Sequence, residues 1–194
     1  SASSEGLAAL SYAPCRIETE LSGKPVTIQV DSAYPFDGHV RIIVQCPEPA
    51  TFPLLLRIPR WADGAWLAID GVERSAPPPG EYCRIERAWV AETVLELNLP
   101  MDLRVETRYH GSASVLYGPL VMALEIGEEW QQIGGTPPHA DWEVHPTTPW
   151  NYALILDRHA PRGSIAVSRR TMGEIPFSPE GVPFSYKKAD FFNR

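Results

Sequence analysis

The sequence predicts an all-β fold: an antiparallel, jelly-roll-like β-sandwich followed by a second, smaller or truncated β unit. Three observations predict it. Apolar and polar residues alternate with a period of two in several short segments, which places the apolar set on one face of a strand. Turn signals recur at intervals of about 8 to 12 residues, as is typical of sandwiches and barrels. Twenty prolines and 14 glycines disfavour long helices.

The first unit is predicted to span residues 1–107, and its first clear strand pair is a hairpin. Residues 25–31 and 39–45 alternate apolar and polar side chains, and the segment 34–38, YPFDG, joins them. Proline fixes φ in this turn, and the Asp-Gly pair tolerates positive φ. Two further strand candidates precede the hairpin, at 14–20 and at 7–13, the latter being alternatively a tail that leaves another domain.

The middle of this unit combines a core strand with a tight turn. Residues 53–59, PLLLRIP, form a nearly continuous apolar run, which indicates a strand in the middle of the core. The pair Asp70-Gly71 follows a strand at 65–70 and predicts a tight turn into a short strand, VER. Alternating strands at 81–86 and 93–98 complete the unit.

A second unit is predicted over residues 108–194. Its apolar stretch 113–126 is interrupted at Gly118-Pro119, which predicts either two strands with a kink or a strand that bridges the two units. Residues 127–148 are polar and turn-rich and predict a long loop, of a kind that is usually functional, interface-forming or disordered. The chain ends without a closing turn, which favours an incomplete unit. Further strand candidates are 150–157, 163–168 and 184–189.

Charge and composition argue against several classes of protein. The net charge is −7 and the pI about 5.2, and the scattered basic residues disfavour a nucleic-acid partner. No apolar run approaches the roughly 20 residues of a membrane span, so no membrane partner is expected. The initial SASSEG is typical of a cut point or tag remnant, and we interpret the chain as an excised fragment.

The motifs assign no catalytic and no metal-ligating residue. Cys15, Cys46 and Cys83 form no C-x-x-C pair, and they are expected to be structural thiols. The five histidines lack H-x-x-x-H and H-x-H spacing, and nothing singles out two of the 24 acidic residues as the pair that a glycosidase requires. Unpaired cysteines favour a reducing, cytoplasmic compartment, and no other feature of the sequence indicates the location of the protein.

Four aromatic residues of the second half are the candidate carbohydrate-binding residues: Trp130, Trp142, Trp150 and Tyr152. An exposed aromatic ring can cover the apolar C–H face of a sugar while its N–H or O–H stays hydrogen-bonded. The alternative is that these rings seal an interface or a small core, which the high average burial of Trp favours. Both interpretations remain open at this point.

A set of strings resembles the region that follows the catalytic barrel in bacterial enzymes of glycoside hydrolase family 127, whose characterised members are β-L-arabinofuranosidases. The strings occur in the family's order over residues 7–126, whereas residues 127–194 match less well. They are GLAALSYAP, YPFDGHVRI, LRIPRWADGAWLAIDG, GEYCRIERAWVAETVLELNLPM and YGPLVMALE.

The resemblance implies an N-terminal (α/α)6 catalytic barrel followed by two β-sandwich domains. It also implies a cysteine nucleophile and a zinc ion held by cysteines and a glutamate, all on the barrel. No catalytic residue and no cofactor is therefore expected in this chain, and zinc only in the missing catalytic domain. The parent protein is expected to be a β-L-arabinofuranosidase-like glycosidase, with sugar specificity on its barrel and the fragment inactive alone.

Two functions are predicted. The first is a non-catalytic accessory β-sandwich region that supports the missing barrel, its partner in the full-length protein. The alternative is a carbohydrate-binding module that uses exposed aromatic residues to hold plant-type glycans.

Overall fold

The structure is a computed structural model, and nearly all of its regular structure is β-strand. It describes residues 2–3, 6–170, 184–187 and 190–193. These residues contain no α-helix, only two 3-10 helices at Tyr109–Gly111 and Pro161–Gly163. No helix in this described part is long and apolar enough to cross a membrane. The predicted all-β class is confirmed.

The chain divides into two compact units. The first comprises Ser1–Leu103 and Leu116–Leu120, and the second comprises Arg104–Val115 and Val121–Arg194. The first eight strands are β1 (Ala2–Ser3), β2 (Gly6–Ala9), β3 (Cys15–Leu21), β4 (Lys24–Ser32), β5 (His39–Arg57), β6 (Trp66–Ile69), β7 (Glu73–Ser75) and β8 (Tyr82–Asn98). The later strands are β9 (Leu103–Thr107), β10 (Ala113–Tyr117), β11 (Leu120–Met122), β12 (Glu128–Gly134), β13 (Asp141–Pro146), β14 (Tyr152–Ile155), β15 (Ala166–Arg169), β16 (Phe184–Lys187) and β17 (Asp190–Asn193).

Strands β1 to β8 form one sheet, and the long antiparallel pair β5 and β8 is its centre. The two strands pair along their whole length, with one register shift between Cys46 and Ala50. The order across the sheet is β1-β2-β5-β8-β6-β7, and β4 pairs with both β3 and β5. Strand β2 runs parallel to β5, whereas the other strand pairs described in this sheet are antiparallel.

One face of β5 and β8 lines the core on both sides of the register shift. Bulges bend strands and let a sheet turn a corner, so both halves of each strand can line one sandwich core. All the buried apolar side chains of this face belong to a single hydrophobic cluster. They are Val40, Ile42, Val44, Cys46, Ala50, Phe52, Leu54 and Leu56 in β5, and Ile85, Trp89, Leu95 and Leu97 in β8.

Trp89 is the largest of the fully buried side chains. Its ring stacks on Phe52 with centroids 5.5 Å apart and an interplanar angle of 24°. Its Nε1–H donates to the Phe52 carbonyl oxygen at 2.9 Å, so the one polar atom of the indole is satisfied in the core. The pair locks the second half of β5 to the first half of β8.

Tyr12 ties the segment between β2 and β3 to the sheet. Its hydroxyl donates to the Arg57 carbonyl oxygen at 2.7 Å, and the Ser32 hydroxyl donates to the Tyr12 carbonyl oxygen. The Tyr34 ring meets the Tyr12 ring edge-on, with centroids 6.0 Å apart. Burial raises the pKa of the Tyr12 phenol well above its usual range.

Two turns predicted from the sequence are confirmed. Asp70 and Gly71 have φ of 50° and 70°, as in a type I′ turn, and join β6 to β7. The Asp70 carboxylate also accepts a hydrogen bond from the Val94 N–H at 2.8 Å, which fastens the turn to β8. The segment 34–38 joins β4 to β5 in the predicted hairpin.

Other predictions were wrong in one consistent way. Residues 39–45 and 53–59 were expected to be separate strands, as were 81–86 and 93–98, but they are parts of the continuous strands β5 and β8. Pro47 and Pro49 suggest a break, yet they lie in the bulge, where a missing N–H removes no ladder bond. Of the two options for residues 7–13, the structure shows a strand, β2.

Strands β9 to β17 are short and form small sheets. β11, β10 and β9 are neighbours in a three-stranded sheet, and the break at Gly118-Pro119 separates β10 from β11 as predicted. The other pairs are β12 with β13, β14 with β17 and β15 with β16. Of the candidate strand at 184–189, residues 184–187 form β16, and 188–189 lie outside the described residues.

Replacing Gly38 by alanine is expected to destabilise the first unit. A Cβ at Gly38 would overlap the Leu99 carbonyl oxygen. The two backbones cannot move apart without loss of a hydrogen bond, because the Leu99 N–H donates to the Gly38 carbonyl oxygen at 2.8 Å. We expect the free energy of unfolding to fall by about 2 kcal/mol or more, measured by urea denaturation. The control, Gly163→Ala, places its Cβ in open space and should change little. Equal effects of the two substitutions would contradict this reading.

Alkaline pH is expected to destabilise the protein partly through Tyr12. The folded pKa of Tyr12 is raised, so its contribution is present below the unfolded pKa of about 10 and is lost as pH rises past it. Tyr12→Phe should lower the unfolding free energy near neutral pH by about 1 kcal/mol. Above about pH 10 its stability should decline less steeply than that of the parent chain. If urea titrations show that the unfolding free energies of the variant and the parent chain decline in parallel above about pH 10, the prediction is wrong.

Candidate functional site

The hairpin β12–β13 occupies the segment that the sequence predicted to be a loop, and that prediction is wrong. The strands pair antiparallel from Glu128 opposite Pro146 to Gly134 opposite Asp141. Every residue in both strands is exposed except Gly134, which is half-buried. Alternation of apolar and polar residues arises when one face is buried, so a hairpin solvated on both faces lacks that signal.

Hydrogen bonds at both ends hold this hairpin together. At its base, the Thr147 N–H donates to the Gly127 carbonyl oxygen at 2.7 Å, and the Gly127 N–H donates to the Thr148 Oγ1 at 2.9 Å. At its tip, the Gln132 side-chain amide donates to the Gly135 carbonyl oxygen at 2.7 Å, where Gly135 has a φ of 67°. The strands between these points are thereby kept in register.

The hairpin brings Trp130 and Trp142 together on one face. Trp142 lies opposite Gln132, so it is the diagonal neighbour of Trp130 across the two strands. The ring centroids are 6.2 Å apart at an interplanar angle of 73°. Trp130 remains 58% exposed and Trp142 47% exposed, so both rings present apolar surface to solvent.

Glu128 orients the Trp130 ring. The Trp130 Nε1–H donates to the Glu128 Oε2 at 2.9 Å, and the two residues lie on the same face because they are two positions apart in β12. Glu128 was not among the residues predicted from the sequence. Its signal is the Glu-x-Trp spacing, which becomes informative only once the segment is known to be a strand.

Trp150 and Tyr152, the other two predicted carbohydrate-binding residues, lie outside the hairpin. Trp150 precedes β14 and is 60% exposed, and Tyr152 begins β14 opposite Asn193. The structure therefore separates the four candidates into a pair on one hairpin and two residues at the start of a later strand.

The described residues contain no group of three His, Cys, Asp or Glu side chains that could hold a metal ion. In the hairpin, His145 Nε2 and Glu143 Oε2 are 3.3 Å apart on the exposed surface. Among residues 6–72 and 74–170, Thr93 is the single buried polar residue, so the carboxylates in these ranges have access to water.

The three cysteines are free thiols in different environments. Cys15 is exposed, Cys83 is half-buried and Cys46 is buried. Burial raises the pKa of the Cys46 and Cys83 thiols, which lowers the fraction of the nucleophilic thiolate.

Comparison with known proteins identifies relatives of the first unit. Residues 6–101 match the family described as beta-L-arabinofuranosidase, GH127 middle domain. A non-reducing end beta-L-arabinofuranosidase from Bifidobacterium longum subsp. longum is 31% identical over 114 residues, which is 52% of this chain and 17% of that enzyme. The chain thus spans less than a fifth of this curated relative.

Solved structures share the fold. A GH127 beta-L-arabinofuranosidase from Geobacillus stearothermophilus matches 75% of this chain and 31% of its own, with a TM-score of 0.57 and 21% identity. A structure described as a glycoside hydrolase matches 98% of this chain and 32% of its own, with a TM-score of 0.58 and 19% identity. In both, the chain corresponds to about a third of the solved protein.

Thiol titration should distinguish the cysteines. We expect Cys15 to react fast with a disulfide reagent such as DTNB in the native protein, whereas Cys46 should react only on unfolding because it is buried. Cys15→Ser should remove the fast phase and leave the total released by denaturant lower by one thiol. A fast phase that survives in this variant would contradict the assignment.

Proposed function

We propose that the chain, whose residues 6–101 match the GH127 middle-domain family, is a non-catalytic accessory β region of a GH127 glycoside hydrolase. In this role it supports the (α/α)6 catalytic barrel of a β-L-arabinofuranosidase-like enzyme. The observation that carries the proposal is the match itself, because it covers the strands β2 to β8 that contain the hydrophobic core. Catalysis and zinc binding are assigned to the barrel in the same proposal.

The chemistry of the first unit supports a scaffold role. The ion pairs in β3 and β8 are exposed to solvent, with Arg16 and Glu18 2.8 Å apart and Arg84 and Glu86 2.9 Å apart. Exposed pairs of this kind contribute about 0 to 1 kcal/mol each, so they decorate the sheet rather than stabilise it. The apolar cluster between the two halves of β5 and β8 holds the unit together.

The second unit supplies apolar surface for a partner. Its buried apolar side chains among the described residues are Val115, Pro161 and Ile165. Large exposed apolar patches typically mark an interaction site, and a barrel of the same enzyme is the partner that the proposal assigns to the exposed apolar residues of this unit outside the β12–β13 hairpin. Those residues are Tyr109, Val121, Trp150, Tyr152, Leu154 and Ile155.

The alternative function, a carbohydrate-binding module, has one observation in its favour, the exposed Trp130–Trp142 pair. This pair lies in the second unit, outside the residues that match the family. The two functions concern different residues, since the apolar residues assigned to the barrel lie outside the β12–β13 hairpin, and they can be tested separately.

The accessory role predicts that the purified chain does not hydrolyse a β-L-arabinofuranoside. We expect no release of arabinose from methyl β-L-arabinofuranoside above the uncatalysed background, because the proposal places the reacting groups on the barrel. Joined to a GH127 catalytic domain in the order found in the family, the chain should raise the thermal unfolding temperature of that domain. Enzyme-like turnover by the chain alone would overturn the proposal.

A matched pair of variants tests the surface involved. Ile155→Asp places a charge on an exposed apolar residue of the second unit and should reduce the gain in the barrel's unfolding temperature. Val72→Asp, in the exposed β6–β7 turn of the first unit, should leave that gain unchanged. An unfolding temperature that is the same with and without the chain would contradict the supporting role.

A further inference from the structure

The Trp130–Trp142 pair, with Val144 directly opposite Trp130, forms a small apolar platform on one face of the hairpin. Both rings lie on one face of the β12–β13 hairpin and stay about half exposed, at 58% and 47%. Their near-perpendicular arrangement, with 6.2 Å between centroids, presents one ring face beside one ring edge. Indoles left in water in this way gain free energy when a ligand with an apolar face covers them.

The platform is organised before any ligand arrives. The Trp130 indole N–H is already bonded to Glu128 at 2.9 Å, which restricts the rotation of that ring. The base of the hairpin is closed by Gly127, Thr147 and Thr148. A side chain that is fixed in the free protein loses less conformational entropy on binding, so a contact of small area can still give measurable affinity.

Charge selects the class of ligand. The sequence contains no Lys or Arg between Arg108 and Arg158. Glu128 lies on the same face of the hairpin as the two tryptophans, whereas Glu129, Asp141, Glu143 and His145 alternate onto the opposite face. The carboxylates of the hairpin disfavour phosphates, sulfates and uronic acids, and the hydroxyl groups of a neutral molecule can donate to the Glu128 carboxylate beside the rings.

The size of the platform favours one ring rather than a protein. A stable protein interface buries about 800 Å² on each partner, whereas a Trp side chain offers about 150 to 250 Å² in total. Two half-exposed indoles therefore match the face of a single small ring. A ring with an apolar C–H face and hydroxyl groups at its rim meets the size, charge and hydrogen-bonding constraints together.

We propose that the Trp130–Trp142 face of this hairpin binds a neutral sugar ring of a glycan. Trp130 stacks on the C–H face, Trp142 borders it, and Glu128 holds Trp130 in place. This site goes beyond the accessory role and does not depend on it, since its residues lie outside the family match at 6–101.

The test is a titration of the whole 194-residue chain with neutral oligosaccharides, followed by calorimetry and tryptophan fluorescence. The probes are arabino-, xylo- and cello-oligosaccharides, with oligogalacturonate as the anionic counterpart. We expect saturable binding of at least one neutral probe, with a dissociation constant of roughly micromolar to millimolar. Oligogalacturonate should bind more weakly than the neutral probes.

Variants locate the site. Trp130→Ala and Trp142→Ala should each weaken binding about tenfold or more, as expected for aromatic residues at the centre of a contact. Trp150→Ala is the matched control, because it removes an equally exposed Trp outside the hairpin and should leave affinity unchanged. Glu128→Ala should weaken binding less than either Trp substitution. Thermal unfolding of each variant verifies that it is folded.

Three outcomes would overturn the proposal. One is the absence of saturable binding for all neutral probes. Another is binding that survives Trp130→Ala and Trp142→Ala, or that falls equally with Trp150→Ala. The third is a concentration-dependent dimer in sedimentation that Trp142→Ala abolishes, since the platform would then be covered by a second copy of the chain.

Discussion

The pairing of β5 with β8 is the constraint on which the first unit depends. Both strands are far longer than the roughly five or six residues typical of globular proteins, and each turns the same face inward along its length. The stacked and hydrogen-bonded contact of Trp89 with Phe52 lies just beyond the bulge, where the strands pass from one half of the core to the other. The strands β2, β4 and β6 attach to this pair, and the turns at 34–38 and 70–71 set where they begin and end.

Local chemistry made much of this fold predictable. The turn after β6 needs positive φ at two residues, which the Asp70-Gly71 pair tolerates. The alternation of residues 25–31 and 39–45 identified the buried face of the β4–β5 hairpin. The continuity of β5 through Pro47 and Pro49 could not be predicted, because proline looks like a strand terminator unless the bulge that accommodates it is known. Ala91, opposite Cys46 at the bend, adopts a φ of 53° without any glycine or asparagine to signal it.

The candidate site shows a different limit. Aromatic content pointed to Trp130 and Trp142, but only the strand register places them on one face, and only the hydrogen bond reveals Glu128 as the residue that orients one ring. The prediction grouped Trp150 and Tyr152 with them because it rested on closeness in sequence. Because both faces of the hairpin are exposed, its strands show no alternation of apolar and polar residues, and periodicity could not predict them. The segment proposed to bind a ligand was therefore the one that the sequence pattern predicted least well.

The bulge in β5 also limits how the chain can change in length. Between the paired positions Cys46–Ala91 and Ala50–Trp89, β5 contains three residues and β8 one, so the inward-facing parity is the same on both sides. Insertion or deletion of one residue among 47–49 would turn the whole second half of β5 inside out, exposing Phe52, Leu54 and Leu56. A change of two residues would preserve the inward face. Natural variation and engineered insertions at this corner are therefore restricted to even steps, although the corner itself lies on the surface.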